Sequence, residues 1–179
     1  MITPLLLPMT DKQRPTFTQI EKELRRKTFA IITTVDHNNR PHATGILYGT
    51  STPKDPLRFY IVTKRKSAKI RNIRENPNVS LLVTYPHHIL RFIPDSTATI
   101  RGTAKITTLD DKAFRRAFSQ KQVLRMNLEM DDATMEKAVV IEITPDLVVQ
   151  CYGVGISVNE LRKDPTNANY KVQIPEQRI

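Results

Sequence analysis

The sequence predicts a small antiparallel β-barrel with added helices, and three observations carry that prediction. Six short runs rich in β-branched and aromatic residues lie along the chain, most of them joined by hairpin-length turns. Few stretches have helical spacing, too few to supply the crossover helix that each parallel strand pair needs. With 179 residues, 39% hydrophobic and 26% charged, the composition is that of an ordinary globular protein with one core.

Each element has its own signal. Residues 1–15 carry three prolines and no periodicity, and read as an arm. Thr18 and Glu21 stand at capping-box spacing, and Ile20 and Leu24 follow on one helical face. Residues 29–35 form a β-branched run that ends in a polar turn at 36–40, and 42–48 suit the return strand of a hairpin. A Pro-rich turn at 52–56 leads into a third strand at 57–63. Residues 64–74 then take up helical spacing, with Ala68, Ile70 and Ile73 apolar, and stop at Asn76-Pro77. Strands are expected at 79–84 and at 97–107, the latter with Gly102 as a bulge or a point of close approach. A helix at 110–120 gathers Ala113, Phe114, Ala117 and Phe118 on one side. A sixth strand at 138–143 and 147–152 is expected to break at Pro145. The domain expected is thus 16–158, with 159–179 as a C-terminal tail lacking periodicity.

Several classes of function are disfavoured. No apolar run approaches the roughly 20 residues of a membrane span, and the apolar start of the chain lacks the basic segment of a signal peptide. Cys151 has no second cysteine to pair with, which suits a reducing, cytoplasmic setting. Four scattered histidines and one cysteine make no zinc module, so no metal is expected. The formal charge of +10 implies an anionic partner. With no Trp, six Phe and five Tyr, a stacking platform for nucleic-acid bases is not evident, and none is expected as partner.

The chemistry concentrates at 63–74, where Lys64, Arg65, Lys66, Lys69, Arg71 and Arg74 are all cations. Several of them crowd the start of the predicted helix, with Ser67 as its N-cap. That end of a helix carries about half a positive charge, and each nearby cation costs roughly 0.3–1 kcal/mol unless an anion offsets it. The backbone N–H groups, the Thr63 and Ser67 hydroxyls and the Lys69 ammonium can converge on one phosphate. The alternative is a solvated basic face screened by salt. The five glycines form neither a Walker nor a dinucleotide fingerprint.

Residues 29–34, Asn39 to His42, the strand at 57–63, the Ser67, Ala68, Lys69 triplet and the Asn76-Pro77 strand entry occur in an order that resembles one superfamily. Over roughly residues 20–150 the chain is similar to the FMN-binding split β-barrel proteins related to pyridoxamine 5′-phosphate oxidase. The resemblance implies a six-stranded antiparallel split barrel, a homodimer with flavin sites at its interface, and an oxidoreductase acting on a small molecule. It implies that Ser67 and Lys69 hold the FMN phosphate, flanked by Lys64 and Ala68, with Val62 and Thr63 beside the flavin. It also implies that Thr44, Gly45 and Ile46 run along the ring and ribityl chain, and that Thr97 reaches the cofactor of the opposite subunit. Ala68 stands where many members carry a cation, and Thr44 where the oxidases proper carry Arg, which argues against vitamin B6 oxidation. Related barrels bind the deazaflavin F420 through a similar segment, so F420 is the alternative cofactor. A basic nucleic-acid-binding module is the alternative from another class.

The remaining polar residues have plain readings beside functional ones. His42 would touch the ring or line a barrel mouth, and His87-His88 would bind a metal or haem iron or lie at a surface. Tyr85, His88, Arg91 and Phe92, within 85–95, would form a substrate-side wall or a dimer contact. Cys151 reads as a small buried hydrophobe.

Overall fold

The computed structural model describes residues 14–86, 94–128 and 136–179. Its first half runs α1 (Phe17–Arg26), β1 (Phe29–Val35), β2 (Pro41–Leu47), β3 (Gly49–Thr50), β4 (Phe59–Lys64), α2 (Ala68–Glu75) and β5 (Asn78–Tyr85). The second half runs β6 (Ser96–Thr107), α3 (Lys112–Ser119), α4 (Gln122–Leu128), β7 (Ala138–Tyr152), α5 (Val158–Lys163) and β8 (Asn169–Gln173). The strands form one sheet in the order β2-β1-β5-β6-β7-β4-β3, with β8 added to β7, and the pairings are antiparallel. The sheet curls until β2, at one end, faces β4 across a cleft that both strands line. That is a split barrel, as the family resemblance implies.

Alternation along the strands builds the main core. Ala30, Ile32 and Thr34 of β1 turn inward, as do Val79, Leu81 and Val83 of β5, and α1 closes one end with Phe17, Ile20 and Leu24. A smaller second core lies on the outer side of β4 and β7, where Tyr60 and Val140 meet Phe114, Ala117, Phe118 and Leu124. Strand β4 therefore feeds both cores, Phe59 and Ile61 inward and Tyr60 outward, which is why its sequence is apolar without alternation. Strand β7 makes the same point within one element. Val139 to Ile143 are buried on both faces, whereas from Pro145 onward buried and exposed residues are interspersed.

Four sequence expectations need correction. The capping box of α1 is Thr16 with Gln19, not Thr18 with Glu21: the Thr16 N–H donates to Gln19 Oε1 at 2.7 Å, and Glu21 instead pairs with Arg25 and Arg178. Strand β7 is not broken at Pro145. The ladder absorbs the missing N–H by a register shift between Ile100 and Gly102, and Gly102 faces Pro145 so closely that a Cβ there would lie 2.2 Å from the Thr144 carbonyl oxygen. Residues 159–179 are not a structureless tail. Their β8 pairs with β7, Tyr170, Val172 and Ile174 are buried, and Arg178 binds Glu21 and the Asp55 carbonyl. The sheet accordingly has eight strands rather than six, the additions being the two-residue β3 and β8.

Residues 1–13 of the expected arm, and His87, His88, Arg91 and Phe92, lie outside the described residues. Among the described residues no helix is long and apolar enough to cross a membrane. Cys151 is buried in the main core, and burial pushes its thiol up to about 11.

Candidate functional site

The junction of β4 with α2 is built to hold its polar groups still. After Lys64 the chain turns, with the Ser67 N–H donating to the Lys64 carbonyl at 3.0 Å, and α2 begins at Ala68 with Ser67 as its N-cap. Ile70 and Ile73 anchor the helix in the barrel core. Asn72 adds a directional tie: its Nδ2 donates to Thr34 Oγ1 of β1 at 2.9 Å, and both residues are buried. A buried amide that lost this partner would cost about 1–3 kcal/mol, so the helix is pinned in register as well as by apolar packing.

Along the slit between β2 and β4 this junction opens into a cleft of about 250 Å³, lined by Gly45, Ile46, Leu47, Val62, Thr63, Lys69 and Phe118. Three polar groups converge there. Lys69 Nζ donates to Thr63 Oγ1 at 3.3 Å, and Thr63 Oγ1 lies 3.5 Å from Ser67 Oγ. Both contacts are at the long end for hydrogen bonds, so these donors are not saturated by one another. Ser67 makes no side-chain bond to cap α2, and the first turn of the helix holds no acid. Among the described residues no carboxylate pairs with Lys69, although it is half-buried, and that burial lowers its pKa. A desolvated ammonium beside two hydroxyls and a helix N-terminus without a side-chain cap has the chemistry to receive a compact anion.

Of the predicted site residues, Gly45, Ile46, Val62, Thr63 and Lys69 line the cleft, and Ser67 adjoins it through Thr63. Thr44 sits next along β2, and its Oγ1 is enclosed without a hydrogen-bond partner. Ala68 opens α2 beside them without lining the cleft. Lys64 turns away: with Arg65, Lys66 and Lys137 it borders a separate surface cavity of about 440 Å³. His42 is exposed farther along β2 and does not line the cleft. Thr97 lies on the outer face of β6, several strands from the cleft: Gly45 pairs with Ile31, Ile31 with Leu82, and Leu82 with Thr99, two residues from Thr97.

Leu47, Phe118 and Asn72 were not among the expected site residues. Phe118 comes from α3, more than fifty residues along the chain from Thr63, and its apolar helical face was legible although what it covers was not. Gly49 leaves it room, since a Cβ there would stand 3.0 Å from the Phe118 ring.

Residues 17–152 match the family model described as pyridoxamine 5′-phosphate oxidase. The chain belongs to that family. No curated protein sequence matches it. Among solved structures it resembles HutZ, the haem storage protein of Vibrio cholerae, at 14% identity and a TM-score of 0.59, covering 79% of this chain and 99% of that one. It also resembles a candidate pyridoxamine 5′-phosphate oxidase of Listeria innocua at 21% identity and a TM-score of 0.51, covering 75% and 95% of the two chains. A haem-binding protein of Mycobacterium smegmatis aligns at 15% identity and a TM-score of 0.58, over 80% of this family member and 57% of its counterpart. At such identities the likeness is one of fold.

Proposed function

We propose that this family member is an FMN-dependent oxidoreductase acting on a small molecule, and that the FMN phosphate sits between Ser67, Thr63 and Lys69 at the start of α2. The observation that carries this reading is the half-buried Lys69 ammonium, beside two under-used hydroxyls and without a carboxylate partner among the described residues. Ser67 and the first N–H groups of α2 would hold the anion, Lys69 would neutralise it, and Val62, Ile46 and the bare backbone at Gly45 would bound the chain that leads away from it. Bound FMN supplies hydride transfer, so the protein needs to contribute position, electrostatics and shelter from water.

The cleft, at about 250 Å³, falls below the roughly 300–1,000 Å³ usual for a drug-sized ligand, so it would take one end of FMN. The rest would lie over the outer face beside Gly45, where Phe29 is 51% exposed. The row Gly45, Ile31, Leu82, Thr99 and Gln150 on that face is uncharged until it reaches Lys171 of β8, in a chain whose net charge is +10. A face with an uncharged row across five strands beside a half-open ligand site suits a second copy of the chain, and only a partner subunit would bring a residue such as Thr97 to the cofactor.

F420 would use the same phosphate contacts and send its longer anionic tail toward Lys64, Arg65 and Lys66. Haem, named for two of the similar folds, needs an axial ligand, and among the described residues no histidine lines the cleft. Parallel titrations of the purified protein with FMN, F420 and haemin, followed by absorbance, test the reading. FMN should bind saturably and give a yellow protein of two subunits. Saturation by F420 or haemin with no response to FMN would overturn it.

A further inference from the structure

One aromatic side chain stands open at the edge of the cleft. Phe29 begins β1 directly opposite Leu47 of β2, and Ile31 stands opposite Gly45. Opposite residues of an antiparallel pair share a face, as do alternate residues along a strand. Phe29 therefore lies on the face that presents Gly45 and Leu47, both of which line the cleft. Its ring reaches diagonally along that face. A Cβ on Gly45 would stand 3.0 Å from both Cε2 and Cζ of Phe29, and among the described residues it would meet nothing else within 4 Å.

The backbone does not require glycine at 45, since Gly153 and Gly155 hold a positive φ and Gly45 does not. What the missing side chain provides is room for a close approach. A phenylalanine leaning over a cross-strand glycine shields that stretch of backbone, which accounts for the part of the ring turned toward β2. The rest has no partner. Phe29 is 51% exposed, and among the described residues no other aromatic is as open. Phe118 also lines the cleft, but it is buried in the second core. The two walls of the cleft thus differ in kind. Thr63 and Lys69 supply the polar wall, and Gly45 and Leu47, with Phe29 beside them, supply an apolar wall that ends in a free aromatic ring. A ligand with an anionic group at one end and a flat ring at the other matches both, because burying the open Phe29 surface against a second ring is favourable.

We propose that Phe29 is a positioning residue for the flavin ring: the isoalloxazine lies over Gly45 and packs against the open part of the Phe29 ring. This rests on the FMN reading and extends it from the phosphate to the ring. Fluorescence titration of the full chain with FMN and riboflavin tests it. Phe29→Leu should weaken both flavins alike, about fivefold, because it acts on the ring they share. Lys69→Ala should weaken FMN alone. Phe29→Tyr keeps an aromatic ring and should bind both flavins to within about twofold of the native chain. Phe29→Trp should quench the bound flavin beyond the native level, since an indole in contact donates an electron to the excited ring. Circular dichroism and gel filtration check the fold and subunit number of each variant.

An unchanged flavin affinity in Phe29→Leu together with unchanged fluorescence in Phe29→Trp would overturn the role of Phe29 and leave the phosphate site standing. Equal loss of flavin in the Leu and Tyr variants, with a fall in subunit number, would overturn it as well and make Phe29 a contact between copies of the chain. Failure of the native chain to bind FMN would overturn the phosphate site and this role with it.

Discussion

Lys69 and the run Lys64 to Lys66 are neighbours in sequence, carry the same charge and end in different worlds. Lys69 enters the cleft, is half-buried and loses basicity to desolvation. Lys64, Arg65 and Lys66 are exposed around an open surface cavity. In water at physiological salt an exposed charge is screened within about 8 Å and contributes little to any one contact. A partly dried ammonium interacts far more strongly with an anion placed against it, because there is less water to compete. The density of positive charge along 63–74 was the visible signal, but of its cations Lys69 is the one that lines the cleft.

Substitutions on the two sides of that boundary should therefore differ sharply. The largest effect is expected for Lys69→Ala, which removes a charge-assisted bond worth about 1.5–3 kcal/mol and should weaken FMN roughly ten- to hundredfold by fluorescence titration. Raising the pH should approach the same loss without mutation. The Lys69 pKa is lowered in the free protein, so its charge is lost on climbing into the alkaline range before that of an ordinary lysine. A bound dianion favours the charged form, so FMN affinity should fall as pH rises through that lowered pKa, and Lys69→Ala should abolish this dependence. The linkage to folding has the same origin: the cost of burying the charged form is present below the lowered pKa and is relieved as pH rises through it, so this group's contribution makes the ligand-free protein more stable.

Ser67→Ala should have a smaller effect, about three- to tenfold on FMN, because it deletes one neutral hydroxyl contact of about 1 kcal/mol. The smallest effect belongs to the exposed rim. Lys64→Gln together with Lys66→Gln should change FMN affinity by less than about threefold and lose even that in high salt. If F420 is the ligand, the order of the last two reverses, since the rim would then meet an anionic tail.

How far the sequence reveals this molecule depends on how local each feature is. The alternation in 29–35 and 79–84, and the Asp36 to Arg40 turn, are local, and the hairpin and inward faces follow from them; the Asp36 carboxylate accepts from the Asn38 and Arg40 N–H groups as such turns do. Gly102 was legible as a bulge or a point of close approach because glycine inside a strand has few other uses. Strands β4 and β7 carry apolar runs without alternation, and only the structure reveals that α3 covers their outer side. Strand β8 was missed because Asn169 to Gln173 places just two apolar side chains inward, too short a pattern to stand out. In the site, Thr63, Ser67 and Lys69 lie within one junction and were readable together. Phe118 and Asn72 are joined to it by tertiary packing between segments distant in sequence, which no local spacing encodes.

The central claim is that the cleft at the start of α2 recognises a phosphate through Lys69 and its two hydroxyl neighbours. Comparing FMN with riboflavin, which is the same flavin without the phosphate, on the native chain and on Lys69→Ala tests it most directly. The account predicts that the native protein prefers FMN by at least tenfold and that most of this preference vanishes in the variant. Equal affinity for FMN and riboflavin in the native protein, or an unchanged preference in Lys69→Ala, would contradict it.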